Sequence, residues 1–196
     1  MSDYSLTHTL VFLFSGKAGT GKTFSSDIAN DTCRKMEIKG ISEHYATGVK
    51  QIAKHMGWDG VKDAKGRKLL QSIGQIGRSY DENMWVRSTF NRVNDSVGFP
   101  YDVVFIDDWR FSNEIRYIKD SELLYKPISI RIDAPDREIL LGTPEYDDIS
   151  EVQLDDFNFD YIVDNRKYSR IPIDVQIHNI LKKELSINST IETEAH

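Results

Sequence analysis

A glycine motif that directly follows an apolar run near the start of the chain constrains the fold more than any other feature. Residues 8–15 (HTLVFLFS) are mostly apolar and rich in β-branched and aromatic side chains, which predicts a buried strand. The motif that follows is Gly16-Lys17-Ala18-Gly19-Thr20-Gly21-Lys22-Thr23, which fits G-x-x-x-x-G-K-[ST]. A helix is expected over about 23–37. This order of strand, glycine-rich loop and helix predicts a phosphate-binding P-loop.

The positions of the motif have separate predicted roles. The backbone N–H groups of residues 16–23 are expected to wrap the phosphates of a nucleotide, and the glycines allow a close approach. Lys22 is expected to reach the β- and γ-phosphates, and the Thr23 hydroxyl to bind Mg²⁺. ATP and Mg²⁺ are therefore the expected cofactors. The alternative is a glycine-rich turn without a ligand.

A second apolar run ends in two carboxylates, Asp107 and Asp108. Residues 101–107 (YDVVFID) predict another buried strand. If this strand lies beside the P-loop, Asp107 would hold Mg²⁺ directly or through water. Asp108 is expected either to orient a base or an acceptor hydroxyl, or to cap the following helix.

Strands and helices alternate along the rest of the chain, which predicts an α/β fold with a parallel sheet covered on both faces. Further strands are expected at about 41–46, 127–132 and 161–163, with helices at about 112–119 and 171–185. Three consecutive helices are expected at about 47–56, 64–78 and 81–97. We expect one domain over residues 1–187, in which about 47–98 is an inserted acceptor-binding region, and a flexible tail over 188–196.

Composition excludes several classes of protein. A net charge of −6 and a pI near 5.4 argue against binding to nucleic acid. No apolar run is long enough for a membrane span, and the first residues lack the features of a signal peptide. We therefore expect a cytoplasmic protein whose partners are small-molecule nucleotides, and the sequence leaves a homodimer open. The lone Cys33 predicts a packing residue.

Charge is unevenly distributed along the chain. Residues 62–92 carry seven Lys and Arg against three acids, whereas residues 133–165 carry eleven acids and one arginine. A basic segment in an acidic protein predicts a small anionic ligand, and a solvated helix face is the alternative. Arginine suits transfer of a phosphoryl group between two anions, because its planar fork binds phosphate bidentately. The candidate arginines are Arg67, Arg78, Arg110, Arg131 and Arg137.

The helix expected at 64–78 separates two kinds of side chain. One face carries Leu69, Leu70, Ile73 and Ile76, and the opposite face carries Arg67, Gln71, Gly74 and Arg78. The second face carries no large apolar group. Arg67 and Arg78 are separated by about 16 Å along the axis, so at most one of them is expected to hold the acceptor phosphate.

Two other classes of P-loop protein fit the sequence less well. A GTPase would carry a guanine-reading N-K-x-D segment, which the sequence lacks. The D-x-x-G pattern at residues 63–66 has no preceding apolar strand and is interpreted as a turn. A mechanical ATPase of the AAA type usually requires a longer chain.

Taken together, these residues resemble the bacteriophage deoxynucleoside monophosphate kinases, relatives of the adenylate and dephospho-coenzyme A kinases. The similarity covers most of residues 10–185. It is carried by the P-loop, Gly57-Trp58-Asp59-Gly60, Lys62-Asp63, Gly66-Arg67, Leu69-Leu70-Gln71, Gly74, Gly77-Arg78, Trp85, the block from Asp107 to Glu114 (DDWRFSNE), Ser150-Glu151, Leu154-Asp155-Asp156, Asp160 and Asn165.

The resemblance implies a P-loop kinase fold, a three-layer sandwich with a five-stranded parallel sheet and a helical monophosphate-binding insertion. It also implies a short lid at about 134–148. By this likeness Arg67, Arg78 and Arg110 bind phosphates and Asn165 lies toward the ATP base. Trp58 or Trp85 packs near the acceptor base, and Lys62 and Gln71 complete the expected substrate-binding set.

The expected function is ATP- and Mg²⁺-dependent phosphorylation of a deoxynucleoside monophosphate to the diphosphate, in the host cytoplasm if a phage encodes the chain. The catalytic candidates are Lys22, Asp107, Asp108, Arg110, Arg131 and Arg137. Asp147-Asp148-Ile149 stand where the family often has a histidine before its Ser-Glu pair, and the lid has little arginine beside Arg137. A kinase for another small acceptor such as dephospho-coenzyme A, and a nucleotide-binding module without turnover, therefore stay open.

Overall fold

The computed structural model describes residues 8–121, 124–137, 139, 142 and 148–193, with side chains described as far as Leu185. The strands of this part of the chain are β1 (Thr9–Ser15), β2 (Gly40–Glu43), β3 (Val103–Ile106), β4 (Tyr125–Asp133) and β5 (Tyr161–Asp164). The helices are α1 (Lys22–Lys35), α2 (Ala46–His55), α3 (Ala64–Tyr80), α4 (Met84–Asp95), α5 (Ser112–Lys119), α6 (Ile149–Val152) and α7 (Ile173–Thr193). A 3-10 turn covers Pro135–Arg137.

The five strands form one parallel sheet in the order β2-β3-β1-β4-β5, which confirms the predicted α/β fold. β1 lies at the centre, paired in parallel with β3 on one side and β4 on the other. Residues 10–15 of β1 are buried on both faces of the sheet, because helices cover both faces, and this explains the continuous apolar sequence of the strand. The predicted P-loop therefore begins at the middle of the sheet.

Helices cover the two faces of the sheet in three layers. Leu10 and Phe12 of β1 contribute to a core that includes Cys33 of α1 and Leu181 of α7. Side chains alternate along a strand, so the neighbouring residue Val11 is buried on the opposite face, where α5 packs against the sheet. Cys33 is fully buried in this core, as expected of a packing residue.

Residues 43–100 form a second compact unit built from α2, α3 and α4. Its core contains Val49, Ala53, Ile73 and Trp85. A side chain at Gly77 would place its Cβ only 2.3 Å from the Trp85 ring, so this glycine allows the close approach of α3 and α4. The unit corresponds to the helical insertion expected at about 47–98.

The packed face of α3 differs from the expected one. Its buried residues are Gly66, Ile73, Gly74 and Gly77, while Ile76 is 68% exposed. The grouping of Ile76 with Ile73 on one face, and of Gly74 on the opposite face, therefore does not match the packing of this helix. The reason is that glycines make room for a bulky indole ring, which an argument from apolar periodicity does not consider.

Several features near the end of the chain were not predicted or lie outside the described residues. The short helix α6 was not predicted, and α7 continues past Leu185 to Thr193. Most of the lid expected at about 134–148 lies outside the described residues, as do residues 194–196 of the expected tail. Within the described part of the chain, the helices are too short or too polar to cross a membrane.

Candidate active site

The register of the sheet brings the ends of three strands together at the P-loop. Ser15 at the end of β1 pairs with Arg131 of β4, and Leu13 pairs with Ile106 at the end of β3. The carboxyl ends of parallel strands meet at one edge of a sheet, which is where ligands of such folds bind. Arg131 and Asp107, which follows Ile106, therefore lie on either side of the loop.

The loop adopts a backbone conformation that requires glycine. Gly19 and Gly21 have φ values of 89° and 100°, in the left-handed region that other residues rarely adopt. A Cβ at Gly19 would lie 2.5 Å from the Arg137 carbonyl oxygen, and one at Gly21 would lie 2.6 Å from Nδ2 of Asn165. The glycines of the motif are thus needed both for the turn and for its close packing.

Lys22, the first residue of α1, extends its side chain back across the loop. Its Nζ donates to the carbonyl oxygens of Gly16 at 2.7 Å and Lys17 at 2.8 Å. Burial, followed by the positive charge of Arg110, lowers the pKa of Lys22 to about 8. The Lys22 ammonium is therefore held against the backbone of the P-loop, where its predicted contact with phosphates would take place.

The lowered pKa makes nucleotide affinity depend on pH. Below its pKa of about 8, Lys22 carries the charge that attracts phosphate, and above this pH the ligand-free protein holds a neutral amine. We expect MgATP to bind about tenfold more weakly at about pH 9 than at about pH 7, as measured by titration calorimetry.

The matched control for this pH dependence is Lys22→Arg, which stays charged throughout the range. Its affinity should change little between the two pH values, whatever its absolute level. A wild-type affinity that does not fall above pH 8 would contradict the role of Lys22 as a phosphate ligand.

Thr23 and Asp107 lie together as the sequence predicted for a metal site. The Thr23 hydroxyl donates to Oδ2 of Asp107 at 2.5 Å, and Asp107 is 6% exposed. A hydroxyl and a carboxylate are the hard oxygen ligands that Mg²⁺ prefers. These two side chains therefore fit the Mg²⁺ ion that a P-loop implies.

Asp108 has a different environment from Asp107. The next helix, α5, begins at Ser112 with Phe111 at its N-cap, and the Glu114 side chain accepts from the N–H groups of Arg110 and Phe111 at 3.1 Å. Asp108 therefore does not take the N-cap position of this helix. A role in orienting a base or an acceptor stays a prediction.

Arg110 binds a short segment that the sequence analysis did not assign to the site. Its guanidinium forms an ion pair with Glu151 and also donates to the Ser150 carbonyl oxygen at 3.0 Å. The second oxygen of the Glu151 carboxylate accepts from the Ala18 N–H of the P-loop at 3.1 Å. The Glu151 carboxylate is therefore bound both by Arg110, a predicted phosphate ligand, and by the backbone of the P-loop.

Asp155 joins two further cations of the site. Its carboxylate pairs with Nζ of Lys17 at 2.7 Å and with the Arg131 guanidinium at 2.9 Å. The Lys17 side chain is 7% exposed, and it also donates to the Glu151 carbonyl oxygen at 2.8 Å. Lys17, Lys22, Arg110 and Arg131 are thus brought together around the loop.

Two other predicted residues, Asn165 and Arg137, lie beside the P-loop. Asn165, which follows β5, is buried, and its amide donates to the Thr20 carbonyl oxygen at 2.8 Å. It therefore helps to fix the loop conformation. Arg137 has an exposed side chain, and its backbone carbonyl is the part that lies beside Gly19.

The predicted substrate-binding residues of the helical unit differ in exposure. Lys62, Arg67 and Gln71 are exposed, and Arg67 donates through Nε to the Lys62 carbonyl oxygen at 3.1 Å. The Arg78 guanidinium lies over Gly74, within 3.3 Å of the position that a Cβ would take.

The two tryptophans of this unit are held by hydrogen bonds from their indole N–H groups. Trp85 is 6% exposed and donates to the Gly74 carbonyl oxygen at 3.0 Å, which places it in the core. Trp58 is half-buried and donates to the Val61 carbonyl oxygen at 3.0 Å. Trp58 therefore presents more of its ring to a base than Trp85 does.

Glu151 and Asp155 are the site residues that sequence reasoning missed. Both belong to segments that carry the family resemblance, and both lie in the acidic stretch 133–165. The signal that could have found them is this acidic stretch itself, because a loop surrounded by several cations requires nearby carboxylates when no anionic ligand is bound.

The strand, loop and helix geometry, with a carboxylate from the neighbouring strand beside Thr23, defines an α/β protein of the P-loop class.

No protein-family model matches the chain. The chain is 32% identical over 145 residues to the uncharacterized protein ORF77 of Ictalurid herpesvirus 1 (strain Auburn), covering 74% of this chain and 58% of that protein. It is 27% identical over 149 residues to ORF76 of the same virus, covering 76% of this chain and 57% of that protein. The chain thus spans somewhat more than half the length of these relatives.

Solved structures with a similar fold include two kinases. A gluconokinase from Sinorhizobium meliloti 1021 aligns with a TM-score of 0.47 at 12% identity, over 97% of this chain and 99% of that one. A thymidylate kinase from Ehrlichia chaffeensis aligns with a TM-score of 0.43 at 12% identity, over 91% of this chain and 99% of that one. Similarity at this level carries no argument about activity.

Proposed function

We propose that this protein transfers the γ-phosphoryl group of ATP to a deoxynucleoside monophosphate. The observation that carries the proposal is the 2.5 Å contact between Thr23 and Asp107 at the mouth of a P-loop crossed by Lys22. This arrangement suits a triphosphate with its Mg²⁺ ion. The metal, when bound, would neutralise charge on the β- and γ-phosphates.

In this reaction an oxygen of the acceptor phosphate forms a bond to the γ-phosphorus as the bond to the β–γ bridging oxygen breaks, which releases ADP. Lys22 and the N–H groups of the loop hold the donor phosphates. Arg110 and Arg131 both lie close enough to Lys22 to lower its pKa, so their positive charges lie near the position proposed for the transferred group.

The acceptor would bind through the basic helical unit. Two of its arginines have internal partners, since Arg92 pairs with Glu43 at 3.0 Å and Arg87 pairs with Asp81. These pairs stabilise the unit. Arg67 and Arg78, which belong to the segments that carry the family resemblance, are the candidates for the acceptor phosphate, because each provides a guanidinium for bidentate binding.

The proposal is tested by coupled detection of ADP release with a panel of acceptors. The panel contains the deoxynucleoside monophosphates, the matching ribonucleotides and dephospho-coenzyme A. We expect at least one deoxynucleoside monophosphate to stimulate ADP release by about a hundredfold or more over the rate with water as acceptor. Each acceptor is also assayed with Lys22→Ala, which corrects for contaminating kinases.

The other outcomes of this panel distinguish the alternatives. Stimulation by dephospho-coenzyme A alone would assign a different acceptor to the same fold. Tight ATP binding with no ADP release under any condition would favour a nucleotide-binding module without turnover. Either result would contradict phosphorylation of a deoxynucleoside monophosphate.

A further inference from the structure

The Glu151 carboxylate lies where a P-loop binds anions. One of its oxygens accepts from the Ala18 N–H at 3.1 Å, and the other pairs with Arg110. Its side chain is only 6% exposed, and its charge raises the pKa of Lys22, opposing the effect of burial. A backbone N–H of the loop, a guanidinium and a nearby ammonium are the groups that hold a nucleotide phosphate in this class of site.

The segment that carries Glu151 is fixed at several points. α6 is capped by Asp148, whose side chain accepts from the Ser150 N–H at 2.9 Å. Beyond α6, Leu154 is 3% exposed, and the Gln153 side chain accepts from the Ser112 N–H at 3.1 Å. The backbone is therefore held in place on both sides of Glu151, and its carboxylate is positioned at the P-loop.

Asp155, four residues after Glu151 in the sequence, pairs with two further cations beside the P-loop. It accepts from Lys17 and Arg131, whose side chains are 7% and 18% exposed. Segment 150–155 thus neutralises three cations of the site, Lys17, Arg110 and Arg131, while Lys22 donates to the loop carbonyls.

A carboxylate and a phosphate cannot share these donors. Two like charges a few ångströms apart repel each other strongly in a partly buried site. The Ala18 N–H can serve only one acceptor well, and the Arg110 fork pairs best with one anion. A nucleotide phosphate that enters the loop must therefore take these groups from Glu151.

From this geometry we propose that Glu151 is an internal competitor of the nucleotide. Its carboxylate occupies the phosphate-binding groups of the loop in the ligand-free protein and leaves them when a nucleoside triphosphate binds. The residue thereby sets the affinity for the nucleotide. This inference rests on the proposed function, because it requires that the loop bind a nucleotide.

The test is calorimetric titration of a non-hydrolysable ATP analogue with Mg²⁺ into the wild-type protein and Glu151→Gln. The amide retains the shape of the side chain but lacks the charge that competes with phosphate. We expect the analogue to bind about tenfold more tightly to Glu151→Gln, as follows from the loss of one charge-assisted hydrogen bond that binding must break.

The matched control is Asp156→Asn, which removes the same charge from an exposed residue of the same segment. Its affinity should stay within about twofold of wild type, since an exposed charge is largely screened by solvent. Equal or weaker binding by Glu151→Gln would overturn the inference and indicate that Glu151 positions Arg110 for the nucleotide. If wild type binds the analogue in such a case, the proposed function stands. If neither protein binds it, both fail.

A second measurement uses the wild-type protein and does not depend on how the variant folds. The N–H groups of Glu151, Val152 and Gln153 donate to the carbonyl oxygens of Asp148 and Ile149 at 2.8–3.2 Å. Saturation with the analogue should increase hydrogen exchange of residues 151–153 severalfold as the carboxylate leaves, while exchange of residues 16–23 slows. Unchanged or slower exchange of residues 151–153 would overturn the inference.

Discussion

Lys22→Ala is expected to lower kcat by about a thousandfold. Preorganised charge at the transferred group is usually the largest contribution to catalysis, and the loss of one such donor costs about 10²–10³ in rate. Lys22 is the cation that crosses the mouth of the loop, with its Nζ within 2.8 Å of two loop carbonyl oxygens. The measurement is steady-state ADP release with the best acceptor of the panel.

The control for this prediction is Lys35→Ala at the exposed end of the same helix. It removes an identical charge from α1 without touching the loop, so kcat should stay within about twofold of wild type. Thermal unfolding of both variants verifies that the fold is retained. Turnover of Lys22→Ala equal to that of Lys35→Ala would exclude Lys22 from the chemistry.

Asp107→Asn is expected to lower kcat by about a hundredfold and to raise the Mg²⁺ concentration needed for half-maximal rate. The substitution keeps the size of the side chain but replaces an anionic oxygen ligand with a neutral amide, which binds Mg²⁺ much more weakly. Asp107 is the carboxylate that lies against the Thr23 hydroxyl. The measurement is ADP release as a function of Mg²⁺ concentration.

Asp120→Asn supplies the comparison, because Asp120 is an exposed carboxylate at the end of α5. It should leave both kcat and the Mg²⁺ dependence unchanged. If Asp107→Asn loses activity but keeps the wild-type Mg²⁺ dependence, Asp107 is not a metal ligand. The loss would then be attributed to the position of Thr23.

The competing carboxylate changes how the basic groups of this site are understood. Arg110 and Arg131 were expected to close around the transferred phosphoryl group, and their guanidinium groups pair with Glu151 and Asp155. Holding several partly buried cations close together costs free energy unless anionic groups lie beside them. A carboxylate of the protein itself lowers the free-energy cost of holding these cations together, but it also reduces the affinity for the nucleotide. The variant Glu151→Gln is designed to change both effects.

The sequence determined the central strand, the loop and the strand that ends at Asp107, because each depends on local order along the chain. The apolar run 8–15 became β1, and the run 101–107 became β3 with shorter bounds. The parallel sheet then placed Asp107 beside Thr23, as the motif required. The helical insertion followed from three consecutive amphipathic segments.

Only the tertiary structure decided which side chains contact the P-loop and which face of α3 is buried against the neighbouring helix. The hydrogen bond between Ala18 and Glu151 joins residues 133 positions apart, and no local periodicity encodes such a contact. Likewise, Gly77 is buried and Ile76 exposed because the Trp85 ring needs space against the backbone of α3, a requirement that arises only when two helices meet. Motifs and periodicity specify segments and their ends, whereas ion pairing and close packing depend on how those segments come together in space.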